Sequence, residues 1–518
     1  MSRPLHELVK FRGDKLFNGA VSIDWFSNNA ALTRAASESF VFHGPEYHGV
    51  SQADVGTAHG HRLQDTAAFV RSLVRRCYGI EEEPFTLAIA GYGTGKSHLG
   101  LTAASLLNEP RSETAQAVLT SIEAADSAIG NEVRATLVEA DQPCLVVALN
   151  GMQSFDLTTQ FTQQVLHQLK ARSLDTGPLD QLRPRFSQAA SLVGMANQEV
   201  ASELLNECEA ISTEEILAGL QRQDEATYRR VYDVFSRRGM ILTALRGESI
   251  RDVVDTSIQN YCGANKPFRS LLVLFDEFGR YTEFATMKSQ IAGSGVLQDL
   301  FEGIQAHSST ACFTGFIQFE LSAYVQRVAP EYRNEILRYV TRYQAANRVY
   351  LSINMETLIA HLIEKKDPRD LDQRFDNPVA RKESESTMQD LARWFPQSGN
   401  HRLWNDPAQF HKVIRKGCWP LSPYSTWFLF HLAAAGKHLQ ERSALALLGQ
   451  LFDRYRDDAV ADSAGWSLAP VDFWSDDLQH ELITSEEGGQ QGAITHAYAS
   501  VIANHGGSLT TGQRRVLQ

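Results

Sequence analysis

The sequence predicts an α/β fold, a parallel sheet covered by helices on both faces, and three observations predict it. Five short, continuous apolar runs recur along the chain: residues 85–90 (FTLAIA), Cys144–Leu149 (CLVVAL), Leu271–Phe275 (LLVLF), Ala311–Ile317 (ACFTGFI) and a weaker one at Arg348–Ser352. Helical patterns separate them, and strands that read as unbroken apolar runs belong to parallel sheets buried on both faces. A glycine-rich turn lies directly between the first run and GKSHLGLTAASLL, a helix that packs Leu99, Leu106 and Leu107 inward.

The remaining elements follow in chain order. A length of 518 residues predicts about three domains. Residues 1–80 read as a lead-in, with a turn-rich aromatic stretch, FVFHGPEYHGV, from Phe40 to Val50 and a helix from about Leu63 to Cys77. Residues 81–154 and 266–354 carry the strands and form the core. The intervening 155–265 are helical by pattern, as in FTQQVLHQLKARS and ATYRRVYDVFSRRG, and too long for one crossover, so they predict a helical insertion. Residues 355–518 read as a helical C-terminal region, interrupted at Lys365–Thr387 and Ser485–Gly492. The last residues, LTTGQRRVLQ, resemble the start of a further helix, as at the opening of a winged-helix module.

Hydrophobic residues make up 43% and charged residues 21% of the chain, as in ordinary globular proteins. The formal charge of −12 argues against a surface coated for nucleic acid but leaves room for a local basic groove. Arg229, Arg230, Arg237 and Arg238, interleaved with Tyr228, Tyr232 and Phe235, are the candidate for one; the same pattern also describes an amphipathic helix with a solvated face. No run of 18 apolar residues predicts a membrane span, and the first residues lack an apolar signal stretch. Six cysteines stand singly, without a CxxC pair, so neither a zinc site nor a disulfide framework is indicated. The expectation is a cytoplasmic chain with reduced thiols.

Two motifs carry chemistry. Residues Ala90–Ser97 read AGYGTGKS, the GxxxxGK[ST] phosphate loop with alanine in place of the first glycine. Gly91, Tyr92, Gly93, Thr94 and Gly95 supply backbone N–H groups that wrap phosphates, and the helix that begins near Gly95, with His98 in its first turn, adds its positive dipole end. Lys96 reaches the β- and γ-phosphates, and the Ser97 hydroxyl ligates Mg²⁺. The ligand expected is ATP. The third apolar run ends in Asp276-Glu277, at the strand end that faces nucleotide in a parallel sheet. Asp276 is the expected Mg²⁺ holder and Glu277 the general base, a pair that points to hydrolysis rather than to binding alone. Arg280 follows, as a coupling residue or a surface cation.

With these motifs the chain resembles the AAA+/STAND-related P-loop ATPases over about residues 60–460. Within that group it is most similar to the large ATPases of bacterial anti-phage islands, BREX-type and DNA-phosphorothioation-linked. The grounds are GYGTGKSHLG, LLVLFDEFGRY, the long insertion, TRYQAANRVYLS and WPLSPYSTWFLFHLAAAGKHLQERSALALLG. The resemblance implies strand order 5-1-4-3-2, a C-terminal helical lid, and ATP with Mg²⁺ as cofactors. It implies a polar γ-phosphate sensor after the fourth strand, Gln318 in preference to Thr314. It also implies an arginine finger acting on a neighbouring subunit, Arg342 before Arg338, and a second sensor arginine, Arg442, in the lid. The family's layout brings His43–Tyr47 towards the adenine. The function implied is ATP hydrolysis coupled to assembly or remodelling of a multi-protein, DNA-directed anti-phage complex. Its partners would be other defence-system proteins and double-stranded DNA, with homo-oligomerisation on ATP binding. The alternative is a nucleotide-gated switch or scaffold whose slow hydrolysis a partner or DNA regulates. A phosphotransferase is disfavoured by the adjacent Asp276 and Glu277.

Overall fold

Apolar runs with no polar alternation can be satisfied only in strands covered on both sides, and that is where the structure places them. The computed structural model describes residues 3–13, 17, 20–44, 62–90, 95–240, 249–293, 295–351, 355–400, 402–435, 441–461, 466–487 and 494–517. The chain divides into two compact units. One, the sheet unit, comprises Gly19–Phe40 and His61–Leu351; the other, the helical unit, comprises Met1–Asn18, Val41–Gly60 and Ser352–Gln518.

The sheet unit is α/β. Its six strands are β1 (Arg62–Gln64), β2 (Phe85–Ile89), β3 (Leu145–Asn150), β4 (Leu271–Asp276), β5 (Ala311–Ile317) and β6 (Asn347–Leu351). They are hydrogen-bonded in the order β1-β6-β2-β5-β4-β3, and every neighbouring pair is parallel. The expected five strands are β2 to β6. β1 was not expected. The sequence pattern runs a helix from about Leu63, but the helix begins at Thr66, where Asp65 caps it by accepting the Ala68 N–H at 2.6 Å. The three residues before that cap extend along β6 at the sheet edge.

Side chains alternate between two covered faces. Leu87, Ile89, Val147, Leu149, Val273, Phe275 and Phe313 pack with the helices Leu157–Ala171, Ile250–Tyr261, Phe278–Met287, Val296–Ala306 and Arg333–Tyr343. On the opposite face Phe316 meets Phe69 of the Thr66–Cys77 helix and crowds Gly100 of the Lys96–Asn108 helix. The lead-in is therefore not one segment, since Gly19–Phe40 and its last residues, from His61 onward, belong to the sheet unit.

The insertion is narrower than its sequence pattern suggests. Helices Leu157–Ala171 and Ile250–Tyr261 belong to the main core, because their apolar stripes are filled by strand side chains. A separate core, built from Phe186, Val193, Val200, Leu204, Ile216, Leu220, Val231 and Phe235, joins the four helices from Pro184 to Arg237. Within it the basic helix Glu225–Arg237 turns Tyr228 and Phe235 inward. Arg238 lies 2.8 Å from Glu203 and Arg229 lies 3.8 Å from Glu225, while Arg230 donates to the Cys208 carbonyl and Arg237 pairs with Glu207. Its aromatics pack on the core and its arginines stand beside acids, the arrangement of an amphipathic helix with a solvated face.

The helical unit holds its own core, including Leu362, Phe375, Trp419, Leu448 and Phe452. Two short antiparallel pairs interrupt the expected all-helical pattern: Arg3–Pro4 with Ala459–Val460, and Val9–Phe11 with Ile363–Lys365. The C-terminal residues Thr511–Leu517 are helical. Among the described residues no helix is long and apolar enough to cross a membrane.

Candidate functional site

In a parallel sheet every strand delivers its last residue to one edge, so the polar residues that end the apolar runs gather there without any further instruction. β4 ends at Asp276, whose register partner is Asn150, the last residue of β3. β5 ends one residue before Gln318, and β2 ends at Ile89, in register with Ile317. The chain leaving β2 re-enters description at Gly95, which takes the left-handed conformation (φ 75°, ψ 16°) and starts the Lys96–Asn108 helix, its carbonyl accepting the Leu99 N–H at 2.8 Å. Gly91, Tyr92, Gly93 and Thr94 lie outside the described residues.

Five of the expected residues, Lys96, Ser97, Asp276, Glu277 and Gln318, meet at this edge. Lys96 is 6% exposed and donates from Nζ to the Ala90 carbonyl at 2.8 Å, bending back over the loop from which the chain has come. Burial pulls its ammonium below the ordinary lysine range, against the opposing pull of Glu277 and Asp276. Asp276 is 4% exposed. Burial, with the charge of Glu277 beside it, pushes its carboxyl up to about 6, although the Ser97 hydroxyl, Lys96 and the Glu277 amide all pull it down. Ser97 hydrogen-bonds that carboxyl directly. These are hard oxygen donors, the type that would suit Mg²⁺. Among the described residues no group of three or more His, Cys, Asp or Glu side chains is arranged to hold a metal ion.

Glu277 turns the chain from strand to helix in a single residue, with φ 51° and ψ 37°. Its side chain is 13% exposed. Oε1 accepts the Gln318 Nε2 donor at 2.8 Å. Oε2 is buried with no hydrogen-bond partner among the described residues, and Arg280 Nε stands 3.7 Å away, beyond hydrogen-bond reach. One oxygen is thus held and the other is left with its acceptor capacity unspent. Thr314, the other sensor candidate, lies buried in the middle of β5 and does not reach this edge.

No protein-family model matches the chain, and no curated protein matches it.

The remaining expected residues are placed elsewhere. The His98 ring is committed to packing: Nε2 lies 2.6 Å from the Ala36 carbonyl, and the ring meets Phe40 edge-on at 4.9 Å. Arg342 sits in the last turn of the Arg333–Tyr343 helix, just before β6 begins, which is the sheet edge opposite Asp276; its partner is Glu302 at 3.6 Å. Arg338 is exposed on the same helix. Neither arginine is brought to Lys96 within this chain. Arg442 lies in the Glu441–Tyr455 helix of the helical unit, with its side chain outside the described residues. His43 is buried in that unit, and residues 45–61 lie outside the described residues.

The sequence reading missed a second polar cluster at the working edge. Asn150 donates to Asp24 Oδ2 at 2.6 Å, and Gln153 and Ser22 donate to the same oxygen at 2.9 Å. The one available signal was a polar residue closing the second apolar run. Gly151, next in the chain, donates to the Asp276 carbonyl at 2.8 Å. A Cβ there would stand 2.4 Å from the Glu277 carbonyl oxygen, a backbone atom that cannot swing aside. Gly151→Ala is therefore expected to cost about 1–3 kcal/mol of stability by forcing the Asp276–Glu277 turn away from β3, read as a lowered urea midpoint.

Proposed function

We propose that this chain is an ATP-hydrolysing P-loop ATPase. The observation that carries the reading is the Glu277 carboxylate, held at Oε1 by Gln318 and left with a buried Oε2 that has no hydrogen-bond partner among the described residues, at the edge where Lys96, Ser97 and Asp276 converge. A general base needs this arrangement: an oriented carboxylate with one oxygen still able to take a proton. The strand order supports it. Counting β2 to β6 as one to five, the hydrogen-bonded order is 5-1-4-3-2, with β1 added outside the fifth.

Each residue then has a role. Lys96 exchanges the Ala90 carbonyl for phosphate oxygens. Ser97 and Asp276 hold Mg²⁺, which when bound neutralises charge on the phosphates. Glu277 accepts the proton of the attacking water, and Gln318 keeps that carboxylate aimed. Arg342, at the opposite sheet edge, would serve a neighbouring copy, which makes ATP-dependent homo-oligomers part of the proposal. The helical unit, with Arg442, would act as the lid. TRYQAANRVYLS and WPLSPYSTWFLFHLAAAGKHLQERSALALLG support placing the ATPase in a multi-protein, DNA-directed anti-phage complex, where hydrolysis would drive assembly or remodelling.

The test is release of phosphate from Mg·ATP by the full-length protein, with and without duplex DNA. Phosphate appearing in step with ADP, at a rate that DNA changes, is the expected outcome. ATP that binds but yields no phosphate under either condition would leave only a nucleotide-gated scaffold. Turnover indifferent to DNA would remove the DNA-directed half of the proposal.

A further inference from the structure

The helical unit contains a cavity of about 740 Å³, within the roughly 300–1,000 Å³ typical of small-molecule sites. Its walls are aromatic. Trp394 and Tyr424 stand with centroids 5.6 Å apart at 31°, and Phe395 and Trp427 stand 5.7 Å apart at 38°. Trp427 is fixed in turn by the edge of Trp404 at 4.8 Å. Folding alone gives no reason for a tryptophan to stay in water, yet Trp394 is 62% exposed.

Among the described residues, the one cation in this lining is Arg415, 7% exposed. It lies over the Phe375 ring at 5.5 Å and 3.8 Å from Glu383, whose carboxylate is half exposed. Arg415 is carried by Phe410–Gly417, which is wound as a π-helix. That winding is rare overall and frequent at functional positions. A buried guanidinium at an aromatic wall is a matched receptor for a planar ring that carries an anion: the ring stacks, and the planar fork takes two oxygens at once.

We propose that this cavity binds one nucleotide unit, with its base stacked at Trp394 and Tyr424 and its phosphate on Arg415. The Gln397 amide offers a donor and an acceptor to a base edge, and the Thr387 hydroxyl, whose proton goes to the Glu383 carbonyl at 2.9 Å, offers an acceptor; an aromatic carboxylate would not use them. The unit can come from a free mononucleotide or from an unpaired position of a DNA strand. The site shares no residue with the phosphate loop, and the proposal does not depend on the ATPase reading.

The experiment uses the full-length Lys96→Ala protein, so that binding at the phosphate loop does not intrude. Tryptophan fluorescence and calorimetry follow titration with AMP, adenosine, phenylacetate and a short single-stranded oligothymidylate. Saturable AMP binding that exceeds adenosine and weakens about tenfold or more in Trp394→Ala is expected. Arg415→Lys should erase the preference for AMP over adenosine. Oligothymidylate binding that also depends on Trp394 assigns the unit to a strand, and AMP binding alone assigns it to a free nucleotide. Trp394 is exposed, so its replacement leaves the fold intact; if Arg415→Lys does not fold, the AMP-to-adenosine ratio of the parent protein decides the phosphate contact. The proposal is overturned if neither AMP nor the oligonucleotide saturates, if binding ignores Trp394, or if phenylacetate binds as tightly as AMP.

Discussion

Glu277→Gln is expected to keep ATP and to lose turnover by about a hundredfold or more. The amide matches the carboxylate in shape, so the contact with Gln318 at 2.8 Å survives with one group rotated, and the strand-to-helix turn is undisturbed. What disappears is the basic oxygen. Oε2 is the buried acceptor without a hydrogen-bond partner among the described residues, and an amide at that position cannot take a proton from water. The measurement is a pair: nucleotide binding by a fluorescent ATP analogue, and phosphate release under excess ATP. Unchanged release would remove Glu277 from the base role. The same variant separates the two functional readings. If partner assembly persists in Glu277→Gln but is lost in Lys96→Ala, bound ATP rather than its hydrolysis is the signal.

Asp276→Asn should be more stable than the parent protein at neutral pH in the absence of nucleotide. The parent carboxyl, pushed up to about 6 by burial from an ordinary 3.8, holds its proton in the folded state over a range in which the unfolded chain has released it. The unfolded state therefore binds fewer protons than the folded state between about pH 4 and pH 6, and parent stability falls as pH rises through that window. Asparagine carries no such proton. The two proteins should be nearly equal near pH 4 and differ by about 2–3 kcal/mol above pH 6, with the variant ahead. Urea melts at several pH values read this directly. Mg·ATP should reverse the order, because a cation at Ser97 and Asp276 favours the charged carboxylate that the variant lacks. A gap that stays constant with pH would mean that Asp276 is already ionised in the folded protein.

Much of the sheet was legible because burial on both faces leaves a sequence no freedom to alternate: β5 is as read, β2 and β4 differ from their apolar runs by a residue at one end, and β3 and β6 by a residue at each end. β1 was hidden because three residues, Arg62–Gln64, are too few to show a period. The pairing of Val9–Phe11 with Ile363–Lys365 was hidden for a different reason, since some 350 residues separate the two segments and nothing local marks either. Lys96, Ser97, Asp276 and Glu277 were legible because strand, turn and helix fix them locally. Asp24 and Asn150 are joined only by the fold. So are Cys77, Cys144 and Cys312, single in the sequence yet buried in the core, where the other two thiols and burial together push the Cys77 thiol up. The inward direction of Tyr228 and Phe235 depended on helices that the sequence pattern does not place around them.

The left-handed backbone of Glu277 has a consequence for how this chain can be improved. Glycine adopts that conformation without penalty and asparagine nearly so, whereas glutamate holds it at a cost of about 1–2 kcal/mol. Any search that ranks sequences by how well they fold will therefore move residue 277 away from an acid. Selecting variants of this protein for heat resistance, without also demanding turnover, would erode its chemistry at a residue held in a conformation that its side chain disfavours.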